Sequence, residues 1–274
     1  MPESSAVPIP GSSKVKACCA AAYEQDWVRI LLGDSYHPGG PAMTRRLADK
    51  CDVRPGMRIL DLASGTGDSA LLLAEEYGAD VTGLDRSPAL ARHAAIRALD
   101  ARLANRVRFV VGDAESLPFA SDSFDTLICE CAFCTFPDKA AAAAEMARVL
   151  GRGGRVGISD MTVDAPVIGY EFTSLVAWVS CIAGAQTMTG YRDLLAEAGL
   201  QVEAPEEHRE ALLELLDRIE PRLLAAAILR PSAFPVLETA EVKKWMAASR
   251  RAVASGAAGY CLLSAGKLGH PDID

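Results

Sequence analysis

The stretch Met57-Arg-Ile-Leu-Asp-Leu-Ala-Ser-Gly-Thr-Gly67 decides the fold. Apolar Ile59 and Leu60 read as a buried strand, and Asp61 is carried to that strand's carboxyl end. Gly65 and Gly67 then form a turn whose backbone N–H groups can approach a ligand closely. A strand that ends in an acid and opens into a glycine turn is a nucleotide cradle. Which nucleotide it holds, and for what chemistry, must come from the rest of the chain.

Outward from this turn, strand and helix patterns alternate. Strands read at 58–61, 80–85, 107–112, 124–129 and 155–160, and helices at 69–77, 88–99 and 138–150. Such alternation predicts an α/β fold, with a doubly wound, mainly parallel, seven-stranded sheet covered by helices on both faces. Ligands of these sheets bind at the carboxyl ends of the strands, near a topological switch, where the Asp61 turn falls. Before the core, residues 1–13 are rich in Pro, Ser and Gly and read as a mobile tail, and 14–56 as an N-terminal helical lid. The core then spans 57–204 and 258–268. It is interrupted at 205–257 by two amphipathic helical patterns, about 206–230 and 238–255, which would form a helical cap insert or a homodimer surface.

The chain has 274 residues, a formal net charge of −8, 50% hydrophobic and 23% charged residues, so it has material for a large core and lacks the basic surface of a nucleic-acid binder. No apolar run approaches the roughly 18 residues needed to cross a membrane, and the N-terminus carries no secretory pattern. The expectation is a cytoplasmic protein with no nucleic-acid or membrane partner, whose eight cysteines are reduced thiols.

Gly65-Thr-Gly67-Asp-Ser-Ala70 fits the dinucleotide pattern G-x-G-x-x-G/A, and Asp85 closes the next strand at the spacing of a ribose-binding acid, which alone would suit NAD. Two further acids point elsewhere. Asp61 precedes the turn, where a dinucleotide strand is apolar, and Asp113 follows the third strand in Val111-Gly-Asp-Ala-Glu-Ser-Leu-Pro-Phe119.

With Ser123-Phe-Asp-Thr-Leu-Ile128 and Arg148-Val-Leu-Gly-Arg-Gly-Gly154, these segments resemble class I S-adenosylmethionine-dependent methyltransferases over residues 55 to 161. The resemblance implies that Asp85 binds the ribose hydroxyls, and that Asp113 and the Ala114 N–H bind adenine. Gly65 and Gly67 would pass beneath the methionine, and Asp61 would order the turn around its ammonium. Ala63, Arg86, Glu115, Glu130 and Tyr23 complete the cofactor set. Ala63 stands where many members carry glycine.

A second resemblance is to arsenite methyltransferases, through Cys131, Pro137-Asp-Lys139, Gly153-Gly-Arg155, Ser159-Asp160, and Cys181 in Ser180-Cys-Ile-Ala-Gly-Ala185. It implies a soft acceptor, arsenite or a small thiol, held near Cys131, Cys134 and Cys181, because thiolates select soft ions. In the segment Val15-Lys-Ala-Cys-Cys19, two cysteines replace tyrosines of that family, and Cys18 or Cys19 could supply a third thiol. Cys129 and Cys131 would share a face if their strand continued, with Cys134 turning back from the loop beyond. Cys51 and Cys261 read as core. No second Cys or His pair completes a zinc site, so no metal is expected.

Two rival readings stand beside this one. In the first, the chain is a small-metabolite O-, N- or C-methyltransferase with His37, of Tyr36-His-Pro-Gly-Gly40, as base and the cysteines as packing. In the second, it is a non-catalytic module that binds the cofactor. Tyr23 and Trp27, one helical turn apart, either close over the cofactor or pack their helix onto the sheet.

Overall fold

The computed structural model describes residues 23–24, 33, 36–164, 184–229 and 239–269. The strands are β1 Arg58–Leu62, β2 Asp80–Asp85, β3 Val107–Val111, β4 Phe124–Glu130, β5 Leu150–Val163, β6 Gln201–Val202, β7 Glu206–Glu207 and β8 Ala258–Gly266. They form one sheet in the order β3-β2-β1-β4-β5-β8-β6. The first five positions are parallel, and β8 runs antiparallel to β5.

β6 and β7 occupy the same edge of β8, opposite Gly266–Ala265 and Leu262–Cys261 respectively. Eight strands therefore fill seven positions. Pro205, which has no N–H to donate, lies in the gap between the two edge pieces. The helical pattern read from residue 206 begins only at Arg209, because Glu206 and Glu207 pair with β8.

Seven helices are described: α1 Gly40–Lys50, α2 Asp68–Tyr77, α3 Pro88–Asp100, α4 Lys139–Val149, α5 Met188–Glu197, α6 Arg209–Leu229 and α7 Thr239–Ser255. Side chains fix several starts: the Ser87 hydroxyl accepts the Leu90 N–H at 3.0 Å, Asp138 that of Ala141 at 2.9 Å, and Thr187 that of Gly190 at 3.0 Å. Pro88 follows its cap directly, where its fixed φ suits the first turn.

Successive residues of each central strand enter different cores. Ile59, Ile128 and Leu262 pack with Leu47, Leu73 and Met246 on one face. Leu60, Leu127 and Leu263 pack with Met146, Leu195 and Tyr191 on the other. Alternation with both faces buried gives a sheet sandwiched between helices and leaves its strand ends to build a site. Leu212 and Leu216 of α6 and Val242 and Val253 of α7 join the first core, so these two helices cover one face of the sheet. Among the described residues, no helix is long and apolar enough to cross a membrane. The 1–13 tail, Cys18, Cys19, Trp27 and Cys181 lie outside the described residues.

Candidate active site

The turn after β1 is shaped by three residues in the left-handed backbone region: Ala63 at φ +56°, Gly65 at +51° and Gly67 at +83°. The two glycines do different work. A Cβ on Gly67 would sit 2.7 Å from Phe109 Cζ, so Gly67 permits α2 to pack close to the sheet. A Cβ on Gly65 would find only Tyr36, at 3.9 Å, and would project into an open cleft.

Asp85, at the end of β2, locks this turn. Its Oδ2 accepts the Gly65 N–H at 2.8 Å, and its Oδ1 accepts the Ser87 N–H at 2.8 Å. Burial raises its pKa, against the lowering effect of these backbone donors. Asp113 is held from two sides: Arg86 donates to Oδ2 at 2.6 Å, and the Glu115 N–H donates to Oδ1 at 3.0 Å.

Of the residues expected to hold the cofactor, Tyr23, Ala63, Gly65, Asp85, Arg86, Asp113, Ala114 and Glu130 all border one cleft, the kind of concave surface in which small molecules bind. Asp61 and Gly67 are buried and do not border it. Glu115 is also off the wall, accepting the Asp138 N–H at 2.9 Å. The Tyr23 and Tyr36 rings lie 6.2 Å apart at one side. Tyr36 and Pro137, from two of the quoted motifs, also line the cleft, as do Leu90, Thr135 and Phe136, to which no motif assigned a role.

Asp61 is a carboxylate under electrostatic tension near the cleft. It is 3% exposed, its Oδ2 has no hydrogen-bond partner, and burial drives its pKa well above the usual carboxylate range, with Glu130, Asp85 and Asp68 adding repulsion. Four carboxylates thus converge where β1, β2 and β4 end, a region suited to a cationic ligand.

Glu130, the last residue of β4, is the centre of a polar hub. Its Oε2 accepts the Thr44 hydroxyl at 3.0 Å and the Ser69 hydroxyl at 2.5 Å, and its Oε1 lies 3.6 Å from His37 Nδ1. His37 is buried, and Nδ1 also lies 3.3 Å from the Pro38 carbonyl. Acceptor oxygens of Pro38 and Glu130 thus lie on the Nδ1 side of the ring, an arrangement that suits a proton on Nδ1 and a lone pair on Nε2.

The expected thiols separate. At Cys131 the backbone turns to φ +51°, so the strand does not continue and Cys131 does not share a face with Cys129. Cys131 lines the cleft, whereas Cys129 is fully buried and its thiol is pushed well above the usual range by burial. Cys134 sits in a short 3-10 turn, Phe133–Thr135, fully buried and off the cleft wall, where its N–H donates to Asp160 Oδ2 at 2.8 Å. Burial also raises the Cys51 and Cys261 thiols, each to about 12. Among the described residues no group of three His, Cys, Asp or Glu side chains could hold a metal.

Residues 54–199 match the family model described as a methyltransferase domain. The chain belongs to this methyltransferase family. It is 32% identical to methyltransferase GfsG of Streptomyces halstedii, over 89% of this chain and 92% of that protein. It is 29% identical to 27-O-demethylrifamycin SV methyltransferase of Amycolatopsis mediterranei, over 82% of each. An arsenite methyltransferase of Halobacterium salinarum is 34% identical over 54% of this chain and 38% of its own length.

The cofactor of this methyltransferase is S-adenosylmethionine. The residues fit it on three structural counts. Open space lies over Gly65, Asp61 presents an unpartnered buried oxygen, and the converging carboxylates suit a molecule that carries sulfonium and ammonium charges.

Proposed function

We propose that this methyltransferase acts on a hydroxyl-bearing small molecule, with His37 as the proton acceptor and Glu130 as its partner. The observation that carries the reading is the pair of acceptors around His37 Nδ1, at 3.3 and 3.6 Å, which leaves Nε2 in the basic tautomer. His37 is buried and does not itself line the cleft, but it adjoins Tyr36, a residue of the cleft wall. S-adenosylmethionine, when bound, supplies an electrophilic methyl group on its sulfonium.

The chain's residues divide the remaining work. Asp85 binds the ribose hydroxyls, Asp113 and the Ala114 N–H bind adenine, and the acids around Asp61 balance the positive end of the cofactor. Tyr23 and Tyr36 exclude water from one side of the cleft. His37 Nε2 takes the acceptor's proton, and the Glu130 carboxylate stabilises the imidazolium that results. One relative that matches most of the chain supports an organic acceptor, being named a 27-O-demethylrifamycin SV methyltransferase.

A second reading, transfer to arsenite or a small thiol near Cys131, Cys134 and Cys181, is favoured by Cys131 on the cleft wall and by the partial likeness to an arsenite methyltransferase. It is weakened by the burial of Cys134 away from that wall. The test is release of S-adenosylhomocysteine with phenols, alcohols, thiols and arsenite offered separately. Turnover with a phenol or alcohol supports the first reading, and turnover with arsenite or a small thiol supports the second.

A further inference from the structure

Behind the Glu130 hub runs a line of hydroxyl groups. Ser159 of β5 is the direct ladder partner of Glu130, and its carbonyl accepts the Cys131 N–H at 2.7 Å, so the backbone holds the two side chains side by side. The Ser159 hydroxyl faces Glu130 Oε1 at 3.5 Å and accepts from the Tyr260 phenol of β8 at 2.9 Å. Ser159 is fully buried, Tyr260 is 1% exposed, and neither lines the cleft. An apolar pair would fill this place in the sheet without needing hydrogen-bond partners, so the polar line is not explained by packing.

We propose that Tyr260 and Ser159 are positioning residues that act on the proton-accepting histidine through Glu130. This rests on the reading of His37 as proton acceptor. The phenol donates to Ser159 and Ser159 donates to Oε1, the same oxygen that faces His37 Nδ1. Each donor in the line polarises the next, so charge drawn off at Oε1 is charge no longer offered to the imidazolium. The line therefore sets both the direction in which the carboxylate points and how strongly it favours a protonated His37. Thr44 and Ser69, bonded to Oε2, hold the other half of the carboxylate and leave Oε1 to this task.

Other titratable groups face this network: Asp61 from β1, Cys129 from β4, Cys131 from the turn after β4, and Asp160 from β5. Burial holds Asp61, Cys129 and Tyr260 towards their neutral forms, which keeps the phenol a donor.

The test follows the His37 imidazole by NMR in the full chain labelled with ¹⁵N-histidine. The signal is assigned among the four histidines with His37→Gln. Tyr260→Phe and Ser159→Ala each delete a single oxygen and are each expected to move the His37 titration to higher pH by about half a unit. Glu130→Gln is expected to move it the other way. Cofactor affinity measured by calorimetry should stay within about twofold in Tyr260→Phe, since its ring and packing are kept. A His37 titration unchanged in both hydroxyl variants would overturn the proposal, while leaving the reading of His37 itself intact. Conversely, undiminished methyl transfer by His37→Gln would overturn that reading, while the NMR shifts would still show the relay.

Discussion

The Asp85 carboxylate accepts the backbone N–H of Gly65 at 2.8 Å, tying the end of β2 to the turn that leaves β1. One residue thus shapes the turn and, in the proposed function, offers the ribose an acceptor. Asp85→Ala removes both functions, and cofactor affinity is expected to fall by about 2 to 3 kcal/mol, or roughly 30- to 150-fold. Isothermal titration calorimetry checks this. Asp85→Asn should fall between variant and wild type, because one amide oxygen can serve Gly65 or Ser87 but not both as a carboxylate does.

Asp61 should trade stability for binding. Its folded-state pKa lies well above the usual carboxylate value because burial, and then Glu130, Asp85 and Asp68, disfavour the charge. The folded chain therefore holds this proton more tightly than the unfolded chain, and stability falls as pH rises through the window between the ordinary and the raised values. Asp61→Asn is expected to lose that slope and to melt at a higher temperature than wild type at neutral pH in the absence of cofactor. Its affinity for S-adenosylmethionine should drop. Thermal denaturation from pH 4 to pH 8, with and without cofactor, measures both.

Ala63 occupies the left-handed region at φ +56°, where a Cβ is strained by about 1 to 2 kcal/mol. Glycine removes that strain but gains freedom in the unfolded chain, which costs about 0.4 to 1 kcal/mol. Ala63→Gly is accordingly expected to stabilise the protein by about 0.5 kcal/mol, read as an increased midpoint in urea at unchanged slope.

Glu206 joins α1 to the start of the helical insert. Arg46 donates to both of its oxygens, at 2.5 and 3.0 Å, with Lys50 at 2.9 Å and His208 at 3.2 Å. The Arg46 hydrogen bonds, with help from Lys50 and His208, hold its carboxyl down at about 2. A depressed pKa means the stabilisation is complete above the ordinary glutamate range and is lost as pH falls towards about 2. Because Arg46 is half exposed, Glu206→Gln should cost only about 1 kcal/mol at pH 7, and less in high salt. Urea denaturation at low and high ionic strength tests this.

What could be read in the sequence was local. Residues 57 to 67 announce a strand, an acid and a glycine turn within eleven positions, and Asp85 and Asp113 recur at the ends of the next two strands, so this wall of the cleft was legible in the sequence. The acceptor side was not, because it is assembled across the chain. Thr44, Ser69 and Ser159 reach Glu130 from 86, 61 and 29 positions away, and Tyr260 reaches Ser159 across 101. No spacing rule links such residues. The loop cysteines mislead for a related reason: a single left-handed residue, Cys131, redirects the backbone, so the thiol that follows at Cys134 enters the core. The edge of the sheet was hidden by composition, since Glu206 and Glu207 look like the first turn of an amphipathic helix but complete the ladder on β8.

The most direct measurement is the rate of S-adenosylhomocysteine formation by wild type, His37→Gln and Cys131→Ser on whichever acceptor turns over. A proton-accepting His37 predicts that His37→Gln loses about 10²- to 10⁴-fold in kcat at neutral pH, with cofactor affinity retained. Cys131→Ser should keep kcat within about threefold, since a wall residue of similar size contributes little to the barrier. The reverse result, with His37→Gln active and Cys131→Ser inactive towards arsenite, would contradict the account.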